Sequence, residues 1–236
     1  MIISASRRTD IPAIYSDWFF NRIKEGYVMV RNPMNLHSVY TLSLKRDVVD
    51  CIVFWTKNPA RMLDNLDIIN GYNYYFQFTL NPYDTGIEAN VPKKAEIIDT
   101  FKKLSSKIGK NKVIWRYDPI LVNDSISIEY HIKYFEILAS KLSGYTDKCI
   151  ISFLDFYKKA ERNLKELKVR DITQEEKKYI AANLSKIAES YNLQLETCAE
   201  EIDLSELGIK HARCIDPDLI ESITGEKLNI KKDKGQ

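Results

Sequence analysis

The residues able to do chemistry in this chain gather just after its short apolar runs. Ser6-Arg7-Arg8-Thr9-Asp10 follows the first run, and Trp55-Thr56-Lys57-Asn58-Pro59 ends the second. Gln77-Phe-Thr79-Leu-Asn81-Pro82-Tyr83 closes the third, and Trp115-Arg116-Tyr117-Asp118-Pro119 the fourth. The fifth carries Ser152-Phe-Leu-Asp155, and the sixth Glu196-Thr197-Cys198-Ala-Glu200-Glu201. Two guanidiniums beside an acid, Arg7 and Arg8 with Asp10, suit an anion grip or a charge network. Lys57 suits a base or an anion ligand, and Arg116 two residues before Asp118 suits a strand-end ion pair. Asp10, Lys57, Asp118 and Glu196 are the candidate catalytic groups on this reading. Arg7, Arg8, Gln77, Asn81 and Arg116 are the candidate contacts to substrate or anion. Asn58-Pro59 and Asn81-Pro82 suit loop and capping chemistry equally well.

A second cluster involves softer donors. Cys198, His211 and Cys214 fall within 17 residues and form a candidate metal set. A zinc or iron site wants four protein ligands, or three and an open position, and this spacing matches no standard finger. The other cysteines, Cys51 and Cys149, sit inside apolar runs where a thiol acts as a small core residue. His37 falls in a loop and His131 on a helix. No glycine-rich phosphate loop, nucleophile elbow or His-Glu-x-x-His motif occurs.

The elements that position these groups follow from hydrophobic patterning. Strand-like runs cover residues 2–6, 50–55, 72–79, 112–117, 148–154 and 194–198. Continuous apolarity at 51–55 and 149–154 suits strands covered on both faces, as in a parallel sheet. Residues 27–31 and 39–44 read as an extra hairpin or an irregular excursion, with Asn32-Pro33 breaking between them. Helical patterns cover 14–24, 60–70, 92–108, 128–142, 157–167 and 177–191. Ser127 caps one of these, and Thr173-Gln-Glu-Glu176 is a capping box ahead of another.

Six successive β-then-α units imply parallel strands with right-handed crossovers. A full barrel needs eight units and about 250 residues. The pattern therefore predicts an α/β, TIM-barrel-like fold, a partial and open (β/α)6 barrel, with a doubly wound sheet as the alternative. In either, the loops at the carboxyl ends of the strands share one mouth, where the polar groups are expected to converge.

Composition narrows the function class. The 236 residues are expected to form one domain over 1–225, with a basic tail at 226–236. Lys and Arg number 35 against 33 Asp and Glu, a formal charge of +2. The tail carries that excess itself, so the body is neutral and a general grip on nucleic acid is weakly supported. A small-molecule or anionic substrate is the expected partner. No apolar run approaches the ~20 residues of a membrane span. Met1 leads straight into the first strand pattern, which reads as a cytoplasmic protein without a signal peptide.

Six strings, in order, carry a resemblance. They are Ser4-Ala-Ser-Arg-Arg-Thr-Asp-Ile-Pro12, Phe54-Trp-Thr-Lys-Asn-Pro59, Gln77-Phe-Thr-Leu-Asn-Pro-Tyr83, Trp115-Arg-Tyr-Asp-Pro-Ile120, Thr197-Cys-Ala-Glu-Glu201 and His211-Ala-Arg-Cys-Ile-Asp216. Together they resemble the bacterial family catalogued as domain of unknown function 1848, over nearly the whole chain. The resemblance implies a TIM-barrel-like fold related to the radical S-adenosylmethionine enzymes. It also implies a cysteine cluster near the C-terminus that holds an iron–sulfur cluster. This sequence reaches Gln236 about where that segment would begin. The expectation is therefore a redox scaffold that binds a [4Fe–4S] cluster and S-adenosylmethionine only in a longer form, and holds neither stably by itself. Two alternatives stand beside it. One is a cluster-independent lyase or hydrolase using Asp118, Glu196 or Glu200 as acid and base. The other is a nucleic-acid-binding module using Arg7, Arg8 and the lysine tail.

Overall fold

The computed structural model describes residues 1–6, 8–32, 34–35, 37–154, 167–198, 200 and 202–227. Arg7, the expected helix at 157–167 except for its last residue, and most of the basic tail lie outside the described residues. The chain forms two compact units, one from Met1–Gln77 and Ile215–Gln236, the other from Phe78–Cys214.

In the first unit, strand β1 (Ile2–Ala5) pairs in parallel with β4 (Cys51–Thr56), Ile2 opposite Cys51 and Ala5 opposite Phe54. Strand β5 (Tyr74–Thr79) is next in order and runs on into the second unit. The excursion between β1 and β4 is a hairpin, β2 (Tyr27–Arg31) antiparallel to β3 (Val39–Ser43). Helix α1 (Ile11–Ile14) starts at Asp10, and α2 (Ser16–Glu25) follows after a break at Tyr15. The expected helix at 60–70 divides into α3 (Ala60–Leu63) and a 3-10 turn, Leu66–Ile69. Asp64-Asn65 lies at the division, and both residue types favour turns over helix interiors. Phe54 stacks on Phe76 at 4.8 Å and meets Phe19 edge-on at 5.2 Å, so α2 seals one face of these strands. Helix α7 (Pro217–Thr224) comes from the far end of the sequence and buries Ile220. The Asp216 backbone N–H, at its start, donates to the Tyr75 hydroxyl at 3.2 Å.

The second unit is built on four parallel strands in sequence order, β6 (Val113–Ile120), β7 (Lys148–Phe153), β8 (Gln194–Thr197) and the short β9 (Lys210–His211). Helices α4 (Lys94–Ile108), α5 (Ile128–Leu142) and α6 (Gln174–Ser190) belong to this unit. Ser127 accepts from the Tyr130 N–H at 3.2 Å and starts α5. Thr173 and Glu176 exchange both capping-box bonds and start α6.

Register decides which side chains share a face, because partners across parallel strands point the same way. Trp115, Cys149 and Leu195 are partners on one face, and Trp115 stacks on Phe135 of α5 at 4.9 Å. Arg116, Ile150 and Glu196 are partners on the opposite face. The fold is of the α/β, open TIM-barrel-like class that the sequence implies, and neither unit closes its strands into a barrel by itself. Among the described residues, no helix is long and apolar enough to cross a membrane.

Candidate active site

The carboxyl ends of β6, β7 and β8 bring four reactive side chains together in the second unit. The starting point is a gap in the β6–β7 ladder, whose register shifts between Tyr117 and Ile120. Asp118 and the cis-linked Pro119 fall in that gap. Their backbone groups need other partners, since an unpaired buried amide is costly. Asn81 supplies two: its Oδ1 accepts from the Asp118 N–H and its Nδ2 donates to the Asp118 carbonyl, each at 2.8 Å. Tyr83 supplies the next, its hydroxyl donating to the Pro119 carbonyl at 2.6 Å and accepting from the Leu121 N–H at 3.0 Å.

With its backbone clamped, Asp118 presents a fixed carboxylate. Oδ2 accepts from Arg116 Nε at 2.8 Å and from Nη2 at 2.5 Å, and the Ser152 hydroxyl donates to Oδ1. Ser152 lies two residues beyond Ile150, on the same face as Arg116. Arg116 is 4% exposed. Burial works against its charge, but Asp118 and Cys198 beside it more than offset this, and its pKa is raised. Arg116 also hydrogen-bonds the Cys198 side chain. The Cys198 sulfur lies 3.6 Å from that of Cys214. Their hydrogen bond, with burial, pushes the Cys198 thiol up against the opposing pull of Arg116.

A buried histidine supports this loop from behind. His131 Nε2 lies 2.7 Å from the Leu121 carbonyl, and Nδ1 lies 2.7 Å from the Tyr117 hydroxyl. A carbonyl can only accept, so Nε2 carries the proton and Nδ1 accepts from Tyr117. Burial lowers its pKa to about 4, so the ring is neutral at pH 7.

The remaining expected site residues of this unit do other work. Glu196 is on the face of Arg116 but is held by Lys148 at 3.0 Å and Gln194 at 2.8 Å, nearer the strand starts. Glu200 accepts from the Phe153 N–H at 2.7 Å and from Lys177 at 3.1 Å, tying the end of β7 to α6. His211 is the register partner of Thr197, on the helix-covered face, and its Nδ1 lies 3.4 Å from the Thr197 hydroxyl. It is not part of the thiol pair.

In the first unit, Asp10 Oδ1 accepts from the Ala13 N–H at 3.0 Å and Oδ2 from the Lys57 backbone N–H at 2.7 Å. It is a helix cap that also holds the loop after β4. Arg8 is exposed, and its two terminal nitrogens lie 3.3 Å from the Arg31 carbonyl on β2. Gln77 is buried and hydrogen-bonded to Tyr75. Lys57 is half-buried. An apolar cavity of about 500 Å³ opens in this unit between β1, α2 and the hairpin, with Arg8 and Thr9 on its wall.

The donor set bears on the implied cofactors. A [4Fe–4S] cluster with one open iron needs three thiolates close together. The second unit contains three cysteines, and Cys149 lies on the face opposite Arg116, fully buried, where burial holds its thiol up. Only Cys198 and Cys214 meet. Among the described residues, no three His, Cys, Asp or Glu side chains group as a metal set. These residues do not fit the cluster.

The family model described as Domain of unknown function (DUF1848) matches residues 2–236. The chain belongs to this family. A search of the curated proteins gives no match. Among solved structures, the chain is similar to the crystal structure of "a putative alpha-L-fucosidase" from Bacteroides thetaiotaomicron. The identity is 13%, the TM-score 0.35, and the match covers 95% of this chain and 84% of that one. DUF1848 membership thus rests on nearly the full sequence.

Sequence reasoning missed Ser152 as a partner of Asp118. The signal was available, since alternation along β7 puts Ser152 on the face of Ile150. The clamp role of Tyr83 carried no such signal, because it depends on where β6 leaves its ladder.

Proposed function

We propose that this DUF1848 protein is an enzyme that uses acid–base chemistry on a small polar or anionic substrate, with Asp118 as its proton carrier. One observation carries the reading. Asp118 is held on both carboxylate oxygens by Arg116 and Ser152, yet 22% of its side chain stays open. A proton carrier needs a fixed direction and an open side, and a carboxylate that is held yet partly exposed supports that role. Arg116 offers positive charge, and Ser152 a hydroxyl, to a developing anion nearby. Asn81 acts through Asp118 and is a positioning residue.

The test is a turnover screen of the protein against mixed small carboxylic acids and phosphate esters, followed by NMR. Asp118→Asn keeps the shape and removes the proton carrier. The expected result is a substrate turned over by the native protein and slowed about 10²–10⁴-fold in the variant. Turnover by Asp118→Asn at the native rate would overturn the reading.

A second reading, a redox enzyme related to the radical S-adenosylmethionine proteins, is favoured by the close thiols at the same strand ends. Two thiolates fall short of the three required, so no step is drawn through a cluster on these residues. After anaerobic reconstitution with iron and sulfide, the 236-residue chain is expected to stay colourless. A form extended by a cysteine-rich segment is expected to turn brown and bind S-adenosylmethionine. A stoichiometric cluster on the short chain would make Cys198 and Cys214 primary ligands and displace the acid–base reading.

A further inference from the structure

The two thiols differ in reach as well as in neighbours. Cys198 is 5% exposed and touches the Arg116 guanidinium, whereas Cys214 is partly exposed, in a bend between β9 and α7. Neither is in a disulfide. Their sulfurs are 3.6 Å apart. A disulfide bond spans about 2.05 Å, so an approach of roughly 1.5 Å joins them. Cys214 itself lies in a bend outside helix and strand, so closing this gap displaces no regular element.

We propose that Cys198 and Cys214 form a dithiol–disulfide couple that exchanges with low-molecular-weight disulfides, Cys214 meeting the incoming disulfide and Cys198 resolving it. In the first step the Cys214 thiolate attacks one sulfur of the small disulfide. A bond forms between them, the original S–S bond breaks, and one small thiolate leaves. In the second step the Cys198 thiolate attacks Cys214 Sγ. The Cys198–Cys214 bond forms and the second small thiolate leaves. The two protein thiol protons end on the two small thiols. The protein gives up two electrons and the small disulfide takes them. Arg116 acts in the second step, because a guanidinium beside sulfur favours the thiolate. A reduced dithiol from solution runs both steps backwards. The proposal goes beyond the acid–base reading and stands or falls without it, since it makes no use of Asp118 as a proton carrier.

The test places the full chain in buffers of stepped oxidised-to-reduced glutathione ratio. Samples are quenched in acid, alkylated, digested and mapped by mass spectrometry. The expected product is a Cys198–Cys214 linkage that dithiothreitol reverses, with Cys51 and Cys149 recovered as thiols. Cys198→Ser is expected to accumulate glutathione on Cys214. Cys214→Ser is expected to react about tenfold more slowly, through the buried Cys198. If either variant fails to fold, early quenches of the native chain decide the order by showing which cysteine carries glutathione first. Absence of the Cys198–Cys214 linkage at every ratio, or first capture on Cys198, would overturn the proposal.

Discussion

The polar residues that follow the strands behave differently in the two units. In the first, side chains hold backbone: Asp10 takes the N–H groups of Ala13 and Lys57, and Arg8 reaches the Arg31 carbonyl. In the second, Asn81 and Tyr83 also hold backbone, but at the centre side chains hold one another: Arg116 and Ser152 share the Asp118 carboxylate, and Arg116 reaches on to Cys198. A side chain bonded to backbone is committed to a loop's shape, which persists whatever else the protein binds. A side chain bonded to other side chains can exchange partners with a substrate at little structural penalty. Similar strings of polar residues thus describe fastening in one unit and a network of side chains in the other.

Arg116→Met tests this contrast most severely. Removing one member of a buried ion pair strands the other, at a cost of about 3 kcal/mol in stability. Urea unfolding measures it, and Arg116→Met combined with Asp118→Asn is expected to recover part of the loss. A loss near zero would mean that Asp118 is already well solvated and that the two units differ less than described.

The second test is pH. Unfolded His131 titrates near 6.5, whereas burial holds the folded ring at about 4. This contribution is fully present above pH 6.5. It is lost as the pH falls from 6.5 towards 4, because the unfolded chain takes up a proton that the folded chain refuses. The loss reaches up to about 3 kcal/mol. Thermal melts from pH 7.5 to 4.5 are expected to flatten in His131→Gln relative to the native chain. Parallel curves would show that the ring is not the source.

The smallest effects belong to the first unit. Asp10→Ala removes a helix cap and is expected to cost about 1 kcal/mol. Arg8→Ala changes an exposed residue and is expected to stay within about 0.5 kcal/mol. Neither is expected to change turnover by more than their effect on folding. A large loss of turnover in Arg8→Ala with unchanged stability would move substrate contact into the first unit.

Strands and helices with strong local patterns were legible. The β-branched runs foretold β1 and β4 to β8 and offered the β2–β3 hairpin as one of two readings, and Ser127 and Thr173 marked the starts of α5 and α6. Two-residue β9 was not legible, because a strand so short has no periodicity to read. The break at Tyr15 was missed as well, although Asp10 with Pro12 two residues on is a helix-start signal that places α1 earlier. At the site, the spacing put Arg116 beside Asp118 at a strand end, and the short separation of Cys198 from Cys214 grouped the two thiols. It made Asp10 a candidate catalytic group within an anion grip or charge network, whereas both its carboxylate oxygens accept from backbone N–H groups and cap a helix. Residue types after a strand say what chemistry is available. Whether a carboxylate meets an amide or a guanidinium depends on register and loop path, which a single sequence does not encode locally.

The return of the chain through Asp216 to Tyr75 also sets an order of events during synthesis. The hydrogen bond joins residues 141 positions apart. The second unit is continuous in sequence and leaves the ribosome whole, while the first still lacks α7. Closing so long a loop in a flexible chain carries an entropic penalty that grows with its length. A second unit that has already folded takes its residues out of that loop. The contact that brings α7 back to the first unit can therefore form only after every residue of the second unit has been made.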